Sequence, residues 1–228
     1  ELKSMLCGTN MTDIKISNRS AILRLLHEAG AMSRKQIAAR LKLTPATITV
    51  IINELMNESI LVEGNSVPNA GAVGRREVMV EISREKYVAL GLALSQGLVK
   101  FTVVNLHGEI IHEETFKLPE ILTPEYFAET IGRQIQLKIA SYGYSENFII
   151  GIGITVCGVV DFANGIILDS DGIWEEKNVP IVKMFRKQFS FPVIAANNVR
   201  SYANAYAFLQ HDSQLQNMLF IRNEATMG

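Results

Sequence analysis

The sequence predicts an α/β protein with two domains, a small one of helices and a β-hairpin over residues 1–83 and a larger one over residues 84–228. Residues 31–82 carry two short helical patterns around a tight turn, followed by alternating strand patterns. From Tyr87 onward three strand patterns follow one another before the next helical pattern begins. This change of periodicity places a domain boundary near residues 83–86.

Composition limits the class of protein. The chain has 228 residues, 48% of them apolar, with a net charge of -1, which is typical of an ordered globular protein. No apolar run approaches the roughly 18 residues of a membrane span, and the start of the sequence shows no secretory signal. Cys7 and Cys157 lie far apart, which suits a reducing compartment. We therefore expect a cytoplasmic protein without a membrane partner.

The first domain begins with a predicted loose arm over residues 1–17 and an amphipathic helix over residues 18–29. Ser33 and Gln36 have the spacing of a capping box at the start of a second helix. Lys42 and Leu43 form the turn, and Thr44 caps a third helix. Strands at 60–63 and 75–82 flank a tip rich in Gly, Asn and Pro. This order predicts a winged helix-turn-helix, whose third helix would lie in the DNA major groove.

Seven cations and one acid, Glu28, lie between Lys15 and Lys42. Such a cluster is typical of a surface that binds a polyanion, although an ordinary solvated helix face has a similar composition. We predict double-stranded DNA as the partner. The predicted DNA-binding residues are Arg19, Arg34, Lys35, Lys42, Thr44, Thr47, Thr49, Val50, Asn53, Arg75 and Arg76.

The predicted recognition helix is unusual in its polar residues. No Lys or Arg occurs from Leu43 to Gly74, although Arg to guanine is the commonest specific base contact. Thr47, Thr49, Asn53 and Asn57 are left for polar readout, and Val50 for a thymine methyl. Phosphate contacts through the basic residues would be largely independent of sequence.

The second domain has a strand-rich order. The pattern predicts a meander of three strands, a helix capped by Thr123, a strand buried on both faces, and two further helix–strand alternations. The predicted strands are 88–95, 100–105, 109–116, 148–156, 192–196 and 218–222, and the predicted helices are 123–142, 179–189 and 199–209. This is the order of one lobe of an actin-like, sugar-kinase-like fold.

Five segments, in this order, resemble the ROK family of repressors and sugar kinases, and among them the xylose-repressor-like regulators. They are NRSAILRLL (18–26), GRREVMVEI (74–82), LGLALSQGLVKFTVVNLHGEII (90–111), GIGITVCGVVDFANGIIL (151–168) and FPVIAANNVRSYANAYA (191–207). The resemblance implies a winged helix-turn-helix on a two-lobed sugar-binding body that forms dimers or larger oligomers. Because the sequence stops at Gly228, inside the second lobe, we expect no counterpart of the family's later zinc-binding cluster.

The resemblance also implies that phosphoryl transfer is lost. Ala93 stands where the family's kinases carry the acid of their first phosphate loop. Asn198 replaces the aspartate that serves as catalytic base, and an amide cannot accept the proton. Glu224 places a negative charge in the second phosphate loop. We expect no enzymatic activity, no catalytic residue and no cofactor.

The sugar site is open to two interpretations. Gly158, Asp171, Asn197 and Asn198 occupy positions that the resemblance assigns to hydroxyl partners of a sugar effector. Alternatively, the asparagines cap the helix that begins near Val199. Trp174 would then be a packing residue and Cys157 a structural thiol. The four histidines have no metal-ligand spacing, so no metal is expected.

Two functions remain open at this point. The first is a DNA-binding transcriptional regulator, a repressor or an activator, with a sugar effector. The second is a ROK-like antirepressor, of the kind known in methicillin resistance, acting through a protein partner such as another repressor, with weak sequence preference and no sugar ligand. The apolar segment 218–221 and the aromatic helix 199–209 predict a homodimer held by the second domain.

Overall fold

The computed structural model describes residues 11–64, 77–119, 123–209 and 218–221. The chain divides into two compact units, Glu1–Lys86 and Tyr87–Gly228, and each is considered by itself below. Arg75, Arg76 and Glu224, which the sequence singled out, lie outside the described residues.

The first unit is a winged helix-turn-helix, as predicted. Its helices are α1 (Met11–Ala29), α2 (Arg34–Leu41) and α3 (Pro45–Asn57), and its strands are β1 (Met32–Ser33), β2 (Leu61–Glu63) and β3 (Met79–Ile82). The strands form an antiparallel sheet in the order β1-β3-β2. Its core is built from fully buried apolar side chains on all three helices and on the sheet, among them Ile22, Ile37, Ile48, Ile52, Leu55 and Val80.

The helix ends follow the local sequence. The Ser33 hydroxyl accepts from the Gln36 amide at 3.3 Å, and the Gln36 side chain accepts from the Ser33 amide at 2.8 Å, which completes the predicted capping box. Lys42 ends α2 with a left-handed φ of 53°. Thr44 caps α3, with Pro45 at its first position, where the missing amide donor has no helical partner to lose.

The structure of this unit differs from the prediction in two places, one prediction that was wrong and one strand that was not predicted. Residues 11–17 are the first turns of α1 rather than part of a loose arm, and Lys15 there forms an ion pair with Glu54 of α3. Strand β1, which pairs with β3, was not predicted, because two residues are too short to show a period of 2.

The second unit is a five-stranded sheet with helices. The elements in chain order are β4 (Val88–Ser95), β5 (Leu98–Asn105), β6 (Ile110–Lys117), α4 (Pro124–Ser141), β7 (Ile149–Val156), β8 (Val159–Asp161), β9 (Ile166–Asp169), α5 (Ile181–Phe185), β10 (Val193–Asn197) and α6 (Asn198–Leu209). The order β10-β7-β4-β5-β6 has parallel pairs between β10, β7 and β4 and an antiparallel meander beyond them. The meander and α4 confirm the predicted elements.

One face of this sheet carries the core. Buried side chains alternate along β4 and β5, and they cluster with Phe127 and Ile135 of α4 and Phe185 of α5. Strand β7 was predicted to be buried on both faces, and this was wrong. Its residues alternate, and Ile150 is 50% exposed, because the opposite face of the sheet is only partly covered in the described residues.

The remaining differences concern short or terminal elements. Helix α5 covers only part of the predicted range 179–189, because residues 186–188 form a turn after which Phe189 and Phe191 pack into the core. The short hairpin of β8 and β9 was not predicted. The predicted strand at 218–222 was wrong for 218–221, which pair with no strand of the described chain and leave Leu219 85% exposed. A strand forms only where a neighbour accepts its backbone hydrogen bonds.

Among the helices of the described residues, none combines the length and the apolar character that crossing a bilayer requires.

Candidate nucleic-acid interface

Three of the predicted DNA-binding threonines lie at the start of α3, between its N-cap and its second turn. The hydroxyls of Thr44 and Thr47 hydrogen-bond each other at 2.9 Å, and the Thr44 hydroxyl also accepts from the Thr47 amide. The Thr49 hydroxyl donates to the Pro45 carbonyl at 2.8 Å. Since the proton of Thr49 is engaged within the helix, its oxygen is left as an acceptor for an outside group.

Val50 and Asn53 lie further along the outward face of α3. Both are exposed, and Val50 is 57% exposed although it is apolar. The opposite face of the helix is buried through Ile48, Ile51, Ile52 and Leu55. The structure therefore brings these two predicted residues together on the surface that would enter a groove.

The cations of α2 lie beside this face. Arg34, the first residue of α2, reaches α3, where its Nη2 lies 3.4 Å from Asn53 Oδ1 and 3.5 Å from Met56 Sδ. Lys35 and Lys42 are exposed on the same helix and at its end. Arg34 and Lys35 line a shallow groove with residues of both helices, including Pro45 and Thr49.

The cations of α1 have acidic partners on α3. Lys15 Nζ lies 2.8 Å from Glu54 Oε1, and the Arg19 guanidinium donates to both carboxylate oxygens of Glu58. These hydrogen bonds raise the pKa of Arg19 and lower that of Glu58. A phosphate contact by Arg19 stays a prediction, and it would compete with Glu58. Neither ion pair was predicted from the sequence, although the spacing of four between Glu54 and Glu58 matches that between Lys15 and Arg19.

In the second unit the side chain of Asn197 joins two segments. Its Nδ2 donates to the Gly158 carbonyl at 2.7 Å, and its Oδ1 accepts from the Val199 amide at 2.8 Å. The second of these is a cap at the start of α6. Gly158 itself has a φ of +124°, and a Cβ there would lie 2.1 Å from the Asp169 carbonyl oxygen. The close backbone approach is sufficient reason for a glycine.

Asn198 and Asp171, the other two residues of the predicted sugar site, also have local partners. The Nδ2 of Asn198 donates to Cys157 Sγ at 3.4 Å. Asp171 adopts a left-handed φ of 49°, and its amide donates to Asp169 Oδ1. Trp174 packs on Phe127, with ring centroids 5.6 Å apart. These bonds favour the capping and packing interpretation, and the sugar site stays a prediction.

Comparison with known proteins agrees with both units. Residues 17–62 match the family described as winged helix-turn-helix DNA-binding, and residues 90–228 match the ROK family. The chain belongs to the ROK family. The recognition of this family from five ordered segments is thereby confirmed.

Regulators are among the relatives of this ROK chain. It is 26% identical over 213 residues to the DNA-binding transcriptional dual regulator NagC of Escherichia coli (strain K12), a match that covers 93% of this chain and 52% of the relative. It is 25% identical over 195 residues to a xylose repressor of Caldicellulosiruptor bescii, a match that covers 85% of this chain and 48% of the relative. The chain spans about half the length of these curated relatives.

A solved structure confirms the fold. The crystal structure of a ROK family transcriptional regulator, a homologue of the Escherichia coli MLC protein, matches with a TM-score of 0.70 and 24% identity. The match covers 85% of this chain and 48% of the other.

The kinase-related positions of this ROK chain can be placed in part. Ala93 lies on β4, opposite Lys100 of β5 and Thr155 of β7. Asn198, in the place of the kinases' base, is buried at the start of α6. Within the described ranges no group of His, Cys, Asp and Glu could hold a metal ion. Ala93 has no carboxylate with which to hold a metal-nucleotide, and the Asn198 amide cannot accept a proton from a sugar hydroxyl.

Proposed function

We propose that this chain is a DNA-binding transcriptional regulator of the ROK family and that it binds double-stranded DNA through α2 and α3. The observation that carries the proposal is the position of Arg34, Lys35 and Lys42 beside the exposed face of α3. A helix flanked by cations suits a major groove flanked by phosphates. The regulators among its relatives support the same function.

The phosphate-binding charge comes mainly from α2 in this proposal. Lys15 and Arg19 of α1 are paired with Glu54 and Glu58, so their charges are already balanced within the module. Lys35 and Lys42, by contrast, have no ion pair among the described residues. Each phosphate contact contributes to the salt dependence of binding.

The test is a titration of fluorescent duplex DNA at several salt concentrations. Lys35→Ala and Lys42→Ala should each weaken binding to all duplexes alike and reduce the slope of log K against log salt by about 1. Lys183→Ala is the matched control, since Lys183 is an exposed cation of α5 in the other unit. If Lys35→Ala and Lys42→Ala bind as the control does, α2 is not the phosphate contact.

A second candidate function is an antirepressor that acts through a protein partner, such as another repressor. The observation in its favour is that α3 carries no cation and presents Glu54 and Glu58 toward α1. Such a helix would bind DNA with little sequence preference. Equal affinity for random and selected duplexes, together with stoichiometric binding of a purified repressor, would favour this function over the first.

We further propose that the protein transfers no phosphate. Ala93 and Asn198 support this, since neither side chain can anchor a metal-nucleotide or deprotonate a hydroxyl. A sugar enters the proposal only as an effector, with Gly158, Asp171, Asn197 and Asn198 as candidate contacts. Two relatives bear the names N-acetylglucosamine repressor and xylose repressor, which makes these two sugars the first to test. A rise in the melting temperature of the protein with either sugar would support that sugar as an effector. An unchanged melting temperature with both would count against both sugars as effectors.

The proposal includes a homodimer held by the second unit. Helix α6 leaves Tyr206 and Leu209 47% and 51% exposed, and helix-turn-helix modules usually bind DNA in pairs. Tyr206→Glu should therefore shift the protein toward monomer in light scattering at low micromolar concentration. Leu137→Glu is the control, because Leu137 is an equally apolar exposed residue, 60% exposed, on α4. A monomeric unmodified protein would contradict the proposal.

A further inference from the structure

The outward face of α3 offers few groups that can read a base. Residues 43–74 contain no Lys or Arg, so the commonest guanine contact is absent from this helix. The hydroxyls of Thr44 and Thr47 bond each other, and that of Thr49 donates to the Pro45 carbonyl. Among the exposed side chains of α3 that these bonds leave unengaged, Val50 and Asn53 lie toward the middle of the helix, whereas Ala46 and Asn57 lie near its ends.

Val50 presents two methyl groups to the outside of the module. It lies in the middle of α3 and is 57% exposed, while its neighbours Ile51 and Ile52 are buried. The apolar feature of the major groove is the C5-methyl group of thymine. Contact with this methyl removes apolar surface of both partners from water. Val50 is therefore suited to a thymine.

Asn53 has an amide whose orientation is set by Arg34. The Arg34 Nη2 donates to Asn53 Oδ1 at 3.4 Å, a long hydrogen bond, and also lies 3.5 Å from Met56 Sδ. An amide oxygen has two lone pairs, so Oδ1 retains one for another donor. In the part of the chain that the structure describes, Asn53 Nδ2 has no hydrogen-bond partner. The amide thus offers one acceptor and one donor.

This combination selects among the bases. Adenine presents the N6 donor and the N7 acceptor in the major groove. An asparagine amide can bind both at once, because its oxygen accepts from N6 and its nitrogen donates to N7. Guanine presents two acceptors, N7 and O6, and would leave the amide oxygen without a donor. On a helix, residues three apart are neighbours about 5–6 Å apart, so Val50 and Asn53 fit bases of the same or neighbouring pairs.

We propose that Val50 and Asn53 are the sequence-reading residues of the module, Val50 for a thymine methyl and Asn53 for an adenine, with Arg34 as a positioning residue for the Asn53 amide. This inference rests on the proposed function, since it names the class of DNA sequence that the same surface recognises. Lys35 and Lys42 supply affinity without sequence preference.

The experiment begins with selection of bound duplexes from a random pool by the intact chain. In the selected duplex, each thymidine is then replaced in turn by deoxyuridine, which lacks the methyl, and each deoxyadenosine by its 7-deaza analogue, which lacks N7. One deoxyuridine substitution should weaken binding by about fourfold, the value of one buried methyl. One 7-deaza substitution nearby should weaken binding by about tenfold.

The variants assign each effect to its residue. Val50→Ala should bind deoxyuridine and thymidine duplexes alike but remain sensitive to 7-deaza-adenine. Asn53→Ala should lose the sensitivity to 7-deaza-adenine but remain sensitive to deoxyuridine. Both residues are exposed, and helical circular dichroism checks that the fold is retained. Arg34→Met should reduce the 7-deaza sensitivity, and Arg34→Lys should restore part of it. Lys35→Met, which removes the same charge from the next residue, should weaken binding without altering this sensitivity.

The outcomes separate this inference from the proposed function. If the chain retains no duplex at any salt concentration, both fail. If it binds all duplexes alike in a salt-dependent way, the DNA-binding function stands and the inference is overturned. It is also overturned if the selected site lacks sensitive thymine and adenine positions, or if these sensitivities persist in the Val50 and Asn53 variants.

Discussion

The carboxylate of Glu58, the C-cap residue of α3, accepts hydrogen bonds of 3.0 Å and 2.5 Å from the two terminal nitrogens of Arg19 on α1. Lys15, four residues earlier on α1, forms an ion pair with one carboxylate oxygen of Glu54, four residues before Glu58. The two acids of the recognition helix thus hold it against the supporting helix. The same pairs withdraw two cations from the surface available to DNA.

Glu58→Gln should therefore have opposite effects on stability and on DNA binding. Loss of the ion pair should lower the free energy of unfolding by about 0.5 kcal/mol, since the pair lies at the surface. Arg19 would keep only its longer contact to Glu54 at 3.5 Å. This partial release and the loss of a negative charge should raise affinity for duplexes of any sequence and steepen the salt dependence. Glu28→Gln, which removes an acid that has no ion pair in the described chain, is the control. Equal salt slopes for the two variants would contradict the argument.

The same pair predicts a pH dependence. The hydrogen bonds from Arg19 hold the pKa of Glu58 below its ordinary value of 4.5. A carboxyl with a depressed pKa stabilises the fold fully above its unfolded pKa and loses this contribution as the pH falls through its folded pKa. The stability difference between the unmodified protein and Glu58→Gln should thus be constant at neutral pH and shrink below 4.5. A difference unchanged at pH values well below the folded pKa would rule out this ionic origin.

Gly158→Ala should destabilise the second unit by about 3 kcal/mol or more. The new Cβ would lie 2.1 Å from the Asp169 carbonyl oxygen, and the φ of +124° strains any other residue. Gly153→Ala is the control, because its Cβ would meet only Ile194 Cγ1 at 4.0 Å. Chemical denaturation of both variants measures the difference. Similar midpoints for the two would mean that the backbone near Gly158 relaxes easily.

Glu114→Gln should destabilise the second unit more than Glu113→Gln. Glu114 on β6 accepts hydrogen bonds from Lys138 at 2.6 Å and from the Tyr142 hydroxyl at 2.9 Å. It therefore connects the edge strand β6 to helix α4 and to the residue that ends this helix. Among the described residues, Glu113 pairs only with Lys100 of the adjacent strand. The bonds from Lys138 and Tyr142 lower the pKa of Glu114, so the extra contribution should be present above 4.5 and lost as the pH falls further. Acid denaturation midpoints that coincide for the two variants would refute this.

Asn198→Asp should not create a sugar kinase. The new carboxylate would supply a base, but Ala93 would still lack the acid that the family's kinases use to hold the metal-nucleotide. The variant should release no ADP above background with magnesium, ATP and a panel of hexoses and pentoses. The unmodified protein is the control in the same assay. Clear turnover by either protein would mean that Ala93 does not prevent phosphoryl transfer.

The sequence predicted most accurately where structure is local. Ser33 and Gln36 lie three residues apart, and Thr44 lies next to the helix that it caps, so both caps could be recognised from neighbours alone. The bonds from Arg19 to Glu58 and from Asn197 to Gly158 each span 39 residues, and no periodic pattern predicts them. They determine whether Arg19 is available to phosphate and whether the Asn197 amide is available to a sugar.

The sequence by itself determined the class of the protein, because hydrophobic periodicity, turn residues and caps act within a few positions of the chain. It also determined that α3 has no cation with which to read guanine. Only the tertiary structure decided that Glu54 and Glu58 face α1 and that Arg34 lies against Asn53. Charge pairing and hydrogen bonding depend on distances of a few ångströms between side chains, and the packing of the helices establishes those distances.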